Sequence, residues 1–385
     1  MAVDRPIFIY HDKYLKYDFG DAHVLREERL LLAKLLMQNY GLIGSGGAVE
    51  SSPDLADESD LLAVHDLEYL EALKRLSDEP HGSSLAHGLG IADNPVFRGM
   101  FEAASLQVGG TILACDAVAK GEAQRAFNMG GGFHHAMPAR ASGFCLLNDI
   151  AIAIRHLLAK SNIKRVMYVD IDVHHADGVQ AIFAEDSRVL KVSLHEDGRY
   201  LFPGTGAVDE IGGGQGEGYA VNIPLPPYTG DVSYLHAFKE IVMPLAEAFK
   251  PEVLFTQLGA DAHFADPLAH LNLTTRAYEG VAAGFDEISR HFCGGRWVAV
   301  TGGGYDMMLC PRIWALFFSR MAGKELDNNL PAEFMEYCKV TYATAPENGA
   351  LRDAASASNE SVVSRAVAKV VEDVKKNVFR YHGLG

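Results

Sequence analysis

Six short apolar, β-branched runs, at 6–10, 125–129, 165–169, 189–194, 253–258 and 297–301, alternate along the chain with longer stretches of helical periodicity. Those stretches lie at 24–39, 67–76, 97–119, 147–159, 231–249, 275–291 and 312–322. Strands separated by helices join one sheet by crossing over it. The alternation therefore predicts an α/β fold with a mainly parallel sheet and helices on both faces. In such folds ligands collect beyond the carboxyl ends of the strands. Five of the six runs end there in a polar motif: MGGGFHHA, DIDVHHADG, SLHEDGRYLFPGTG, LGADAHFADPL and TGGGYD, in chain order.

The chain has 385 residues, 48% of them hydrophobic, which is ample for a core. No Pro- or Gly-rich linker divides it and no internal repeat appears, so one domain over 1–385 is expected, with looser segments at 44–60 and 209–218. The tail 356–381 carries Val363, Val367, Val370 and Val374 at helical spacing and reads as a helix docked on the domain body. A net charge of −16 repels nucleic acid backbones and anionic membranes and favours cationic partners. Cys115, Cys145, Cys293, Cys310 and Cys338 are odd in number and widely spaced, which argues for free thiols in a reducing compartment. No basic-then-apolar leader opens the chain, and the apolar run 313–318 is too short to span a bilayer. A cytoplasmic protein is expected.

The third strand end carries the strongest chemistry. Asp170, Asp172 and His174 alternate where the run 166–169 stops, so on extended backbone they share one face. Buried carboxylates are costly unless a cation or hydrogen-bond donors satisfy them. A catalytic zinc takes three protein ligands, and Asp172, His174 and Asp261 are the best set. Oxygen and nitrogen donors accept ferrous iron as well. His134 and His135 follow a glycine run and can both face a cleft, with Asp170 and Asp177 as natural partners that fix their tautomers. Tyr305, after 302–304, is placed to donate to a developing oxyanion. That glycine run lacks the pattern of a phosphate-binding loop.

GGGFHHA, ASGFCLLNDIAIAI, YVDIDVHHADGV, SLHEDGRYLFPGTG, YAVNIPL, GADAHFADPL and TGGGYD stand in this order within roughly 10–314. Together they resemble the zinc-dependent histone deacetylase superfamily, in its class I-like branch and most closely the bacterial acetoin-utilisation deacetylases. The resemblance implies an arginase-like α/β domain around a mainly parallel eight-stranded sheet, and removal of acetyl groups from protein lysines. Carried over position by position, it implies Asp172, His174 and Asp261 as zinc ligands, and His134 and His135 as the acid/base pair backed by Asp170 and Asp177. Tyr305 becomes the carbonyl polariser. Phe144 and Phe202 would wall the acyl-lysine tunnel, with Gly143 and Gly303 beside it, Asp93 at the rim and Arg29 in an internal acetate channel. A structural potassium ion is implied on Asp170, the Ser193 hydroxyl and the carbonyls of Asp172, His174 and Leu194. A second monovalent site is implied at the carbonyls of Phe183, Val189 and Tyr219. The subgroup implies an acyl-CoA synthetase as protein substrate. One departure is Ala176, where the common family form has glycine.

Three rival readings remain. An acetylpolyamine amidohydrolase suits the acidic surface, but the insertion typical of that subgroup is not apparent. A manganese ureohydrolase would want further carboxylates where this chain has histidines. A non-catalytic acetyl-lysine binding module would not need Tyr305 and both histidines.

Overall fold

The computed structural model describes residues 5–346, 348–354 and 361–385. Its centre is one sheet of eight strands: β1 (Ile7–Ile9), β2 (Val49–Ser51), β3 (Arg125–Asn128), β4 (Val166–Asp170), β5 (Val189–Glu196), β6 (Ala220–Leu225), β7 (Val253–Gln257) and β8 (Trp297–Val300). Every pairing is parallel. The helices of eight residues or more among the described residues are α1 (Glu28–Asn39), α2 (Leu67–Asp78), α3 (Met100–Ala119), α4 (Asp149–Lys160), α5 (Asp231–Phe249), α6 (Thr275–Phe292), α7 (Cys310–Met321), α8 (Ala332–Tyr342) and α9 (Ser364–Val378). One apolar core lies under α1, α5, α6, α7 and α9, and a second lies under α2, α3 and α4 on the opposite face. This is the α/β architecture of the arginase-like fold, with helices on both faces. Strands covered twice have no polar face to show, which is why β4, β5 and β7 are buried at every position.

The strand order is β2-β1-β3-β8-β7-β4-β5-β6. The chain builds one edge with β1 to β3 and the other with β4 to β6. It then returns to insert β7 and β8 between them. The loops that follow the four central strands, β3, β8, β7 and β4, thereby meet at one end of the sheet.

Some expectations change. The segment 44–60 contains β2, paired with β1 from Ile7↔Val49 to Ile9↔Ser51. Three residues with Glu50 at the centre carry too little apolar signal to be read as a strand. β6 falls in the YAVNIPL motif and carries no clear strand pattern, because Asn222 and Pro224 interrupt its apolar run. It is an edge strand, where the N–H that proline lacks need not be paired. β4 runs to Asp170, and Asp172 and His174 lie in irregular backbone beyond it. Their convergence therefore comes from a loop and not from strand alternation. In the tail, 356–360 lies outside the described residues. The face that α9 buries is Val367, Val371, Val374 and Val378, so Val371 replaces Val370 in the stripe. Lys375 of α9 pairs with Glu240 of α5, and Asn377 Nδ2 donates to Val208 O at 3.0 Å.

Candidate active site

Asp172, His174 and Asp261 each bring a ligand atom to within 4.8 Å of the others, and all three are buried. His174 Nδ1 stands 3.1 Å from Asp172 Oδ1 and 3.2 Å from Asp261 Oδ2. Three further donors aim these carboxylates. Gln257, at the end of β7, donates from Nε2 to Asp172 Oδ2 at 2.7 Å, and the Gly303 N–H donates to the same oxygen at 2.7 Å. The Val173 N–H donates to Asp261 Oδ1 at 2.8 Å. Position 303 requires glycine, since a Cβ there would lie 2.0 Å from Asp261 Oδ2.

Among the described residues, the ion pairs to Asp172 and Asp261 come only from His134 and His174, and no lysine or arginine neutralises them. Burial lowers His174, but its bonds to Asp172 and Asp261 outweigh that and raise it to about 10. Burial and the charge of Asp172 together raise Asp261 above the usual carboxylate range. Two carboxylates and one imidazole nitrogen, buried and close together, are a donor set that suits a divalent cation.

Beside them run two His–Asp pairs. His134 Nδ1 lies 2.7 Å from Asp170 Oδ2, and His135 Nδ1 lies 2.6 Å from Asp177 Oδ1. The two Nε2 atoms face each other at 2.9 Å, so one holds a proton that the other accepts. Burial lowers both imidazoles. For His134 the charges of Asp170 and Asp172 prevail and raise it to about 9. For His135 the nearby positive charge of His134 adds to burial and holds it at about 4. Asp170 holds two further donors: Oδ2 also accepts from Tyr168, and Oδ1 accepts the Asp172 N–H at 2.9 Å.

The two histidines, Asp172, Gly303, Tyr305 and Arg29 line an inner cavity of about 30 Å³, room for about one or two waters. Arg29, from α1, is buried and donates from Nη1 to the carbonyls of Gly302 at 2.9 Å and Gly304 at 2.7 Å. It thereby clasps the loop that carries Tyr305. Burial and the charges of Asp261 and Asp172 hold the Tyr305 phenol well above its usual range, so it keeps its proton for donation. An outer cavity of about 320 Å³ shares His135, Gly143, Phe144 and Tyr305 with the inner one and adds Asp93, His174 and Phe202. The Phe202 ring stands 5.0 Å from that of His135, and Phe144 stands 5.9 Å from Tyr305.

Other expected residues fall apart from this cluster. Ser193 is in register with Asp170 across β4 and β5, and its hydroxyl lies 2.9 Å from His195 Nδ1. Phe183, Val189 and Tyr219 surround the start of β5, on the far side of the short helix Asp177–Ile182.

Sequence reasoning passed over three supports. Gln257 is an amide at the end of an otherwise apolar strand, and that position was its signal. Asp149, at the start of α4, accepts from the Gly132 and Phe133 N–H groups and from Thr111, and so shapes the loop before the histidines. Asp266 accepts the Tyr305 N–H at 2.8 Å. Asp149 lies in the ASGFCLLNDIAIAI motif and Asp266 in GADAHFADPL.

A model of the histone deacetylase domain matches residues 23–321. The acetoin utilization protein AcuC of Bacillus subtilis is 43% identical over 332 residues, 86% of this chain and 85% of its own. A Staphylococcus aureus protein of the same name is 36% identical over 344 residues, 88% of this chain and 87% of its own. The crystal structure of a histone deacetylase homologue from Aquifex aeolicus superposes with a TM-score of 0.86 at 31% identity, over 96% of this chain and all of that one. A histone deacetylase homologue solved in complex with SAHA gives a TM-score of 0.87, also at 31% identity, over 97% of this chain and all of that one. No helix among the described residues is long and apolar enough to cross a membrane.

Proposed function

The chain belongs to the histone deacetylase family, and from that premise we propose that it is a zinc-dependent deacetylase that hydrolyses N-acetyl-lysine side chains of proteins. The observation that carries this reading is the meeting of Asp172, His174 and Asp261 beside the facing pairs His134–Asp170 and His135–Asp177, with Tyr305 on the same cavity.

Zinc, or ferrous iron, held by Asp172, His174 and Asp261 would supply the Lewis acidity that polarises the acetyl carbonyl and acidifies a water. The substrate's four-carbon stem lies between Phe144 and Phe202, whose rings cover methylenes without needing to meet a charge. Asp93 at the rim receives the substrate backbone, and Gly143 leaves space beside the stem. His135 lines both cavities, whereas His134 lines only the inner one, so His135 takes the central role. It accepts a proton from the attacking water as the water oxygen bonds to the acetyl carbon. His134 and Asp170 hold the pair in one tautomeric arrangement, and Asp177 steadies the charge that His135 gains. The Tyr305 hydroxyl donates to the developing oxyanion. The C–N bond then breaks, the proton passes from histidine to the leaving lysine nitrogen, and acetate remains with Arg29 nearby.

A potassium ion on Asp170, the Ser193 hydroxyl and the carbonyls of Asp172, His174 and Leu194 belongs to the same reading. The register of Asp170 with Ser193 supports it. Five unpaired cysteines fit a cytoplasmic enzyme. An acetylated acyl-CoA synthetase is the expected protein partner, in keeping with relatives named for acetoin utilisation.

The test is metal analysis coupled to a panel of acetylated lysine peptides, an acetylated acyl-CoA synthetase and acetylspermidine. One divalent ion per chain, acetate release from the peptides or protein, and inhibition by SAHA are expected. Release from acetylspermidine alone would move the enzyme to polyamines. Two divalent ions per chain would favour a ureohydrolase, and peptide binding without turnover would make it a reader of acetyl-lysine.

A further inference from the structure

Lys191 is the third residue of β5, and it is only 4% exposed. A lysine at that depth needs a partner. Its ammonium donates to the carbonyl of Phe183, 2.7 Å away at the end of the short helix Asp177–Ile182. The same carbonyl accepts the Asp186 N–H at 3.1 Å. A carbonyl oxygen has two lone pairs, and here both are used. The Tyr219 carbonyl accepts the Lys191 backbone N–H at 2.9 Å.

These are two of the three carbonyl oxygens, with that of Val189, that the family resemblance offers to a second monovalent cation. The charge at this corner is also filled. The Arg155 guanidinium stands over the Phe183 ring at 4.8 Å, and Arg188 bonds to Asp186 at 2.7 Å. Asp186, the carboxylate that these cations share, is 3.6 Å from Arg155 as well. A potassium ion would join three positive charges already acting on one carboxylate, on a carbonyl with no free lone pair.

We propose that the Lys191 ammonium stands in for the second monovalent cation, so that this chain binds no potassium at the Phe183, Val189 and Tyr219 carbonyls. The tethered cation ties the end of the Asp177 helix to β5 whatever the potassium concentration. Burial lowers the Lys191 pKa to about 7, against a weaker opposing pull from the charge of Asp186. The proposal stands apart from the catalytic reading, because none of these groups lines either cavity.

Crystals of the whole chain grown with rubidium chloride and examined by anomalous scattering test it. The wild type should show no rubidium within about 3.5 Å of the Phe183 oxygen. Lys191→Ser should show one there. Its melting midpoint should also rise by about 2 °C or more when potassium replaces lithium at equal ionic strength, beyond any rise in the wild type. A rubidium peak on Phe183 with Lys191 intact overturns the proposal, and that map decides even if the variant does not fold. A Lys191→Ser protein with neither the peak nor the potassium-specific rise overturns it too.

Discussion

Asp172, at the floor of the cavity, accepts hydrogen bonds from its own loop and from two other segments: His174 beyond β4, Gln257 at the end of β7 and Gly303 beyond β8. At the mouth, Asp93 lies exposed on a loop and Phe202 is 43% exposed, resting one ring against His135. The floor is over-determined, and losing one contact leaves a buried charge that others must compensate. The mouth is held by a few contacts to solvent-facing loops, and its residues can change without disturbing the ion pairs beneath. Rate should therefore depend on the floor and substrate choice on the mouth.

The sharpest way to break that contrast is Asp261→Asn. It should lower turnover more than about 1,000-fold and lose the divalent ion. Retention of both, by metal analysis and acetate release, would remove Asp261 from the floor. Tyr305→Phe should lower kcat by about 100–1,000-fold with the metal still bound, since one oxyanion donor is gone. Unchanged kcat would assign the oxyanion to another donor. Gln257→Ala leaves every proposed ligand in place but frees Asp172 on one side. A loss of about 10–100-fold in metal affinity is expected, read by competition with a chelator.

A fourth prediction concerns the cost of the floor. Glu27 lies buried 3.8 Å from Arg29, and neither of its carboxylate oxygens has a hydrogen-bond partner. Burial raises it from 4.5 to about 7, against a weaker opposing pull from Arg29. Between those two values the folded chain binds the proton that the unfolded chain has released, so this group makes stability fall as pH rises through the window. Glu27→Gln removes that slope. The variant should be favoured at pH 8 over pH 5 by about 2–3 kcal/mol in denaturant unfolding, relative to wild type. A pH-independent difference would show that Arg29 keeps Glu27 ionised throughout. The smallest effect belongs to the mouth. Phe202→Ala should reduce kcat/KM on short acetyl-lysine peptides by about 10-fold. Faster hydrolysis would mean that Phe202 obstructs the tunnel.

Much of this was legible in the chain. His134, His135, Asp170, Asp172, His174, Asp261 and Tyr305 stand in strand-end motifs whose polarity is local, and local polarity survives folding. The short edge strand β2 was not legible, because three residues around Glu50 carry almost no pattern. Nor was the buried role of Lys191. By type it is a surface residue, and only the turn after the Asp177 helix supplies the carbonyl that holds it. Which face α9 would bury was also hidden, since Val370 and Val371 are both valines and only packing on α5 and β6 chooses between them.

From its residues alone the chain determined an alternating α/β architecture and a set of polar strand ends, because periodicity and turn chemistry act between near neighbours. The tertiary structure decided that β7 and β8 return between β4 and β3, and so which loops meet. It also decided which carboxylate faces which imidazole and where positive charge comes from a lysine. Those outcomes depend on sheet order and burial, which arise from contacts between residues far apart in the chain.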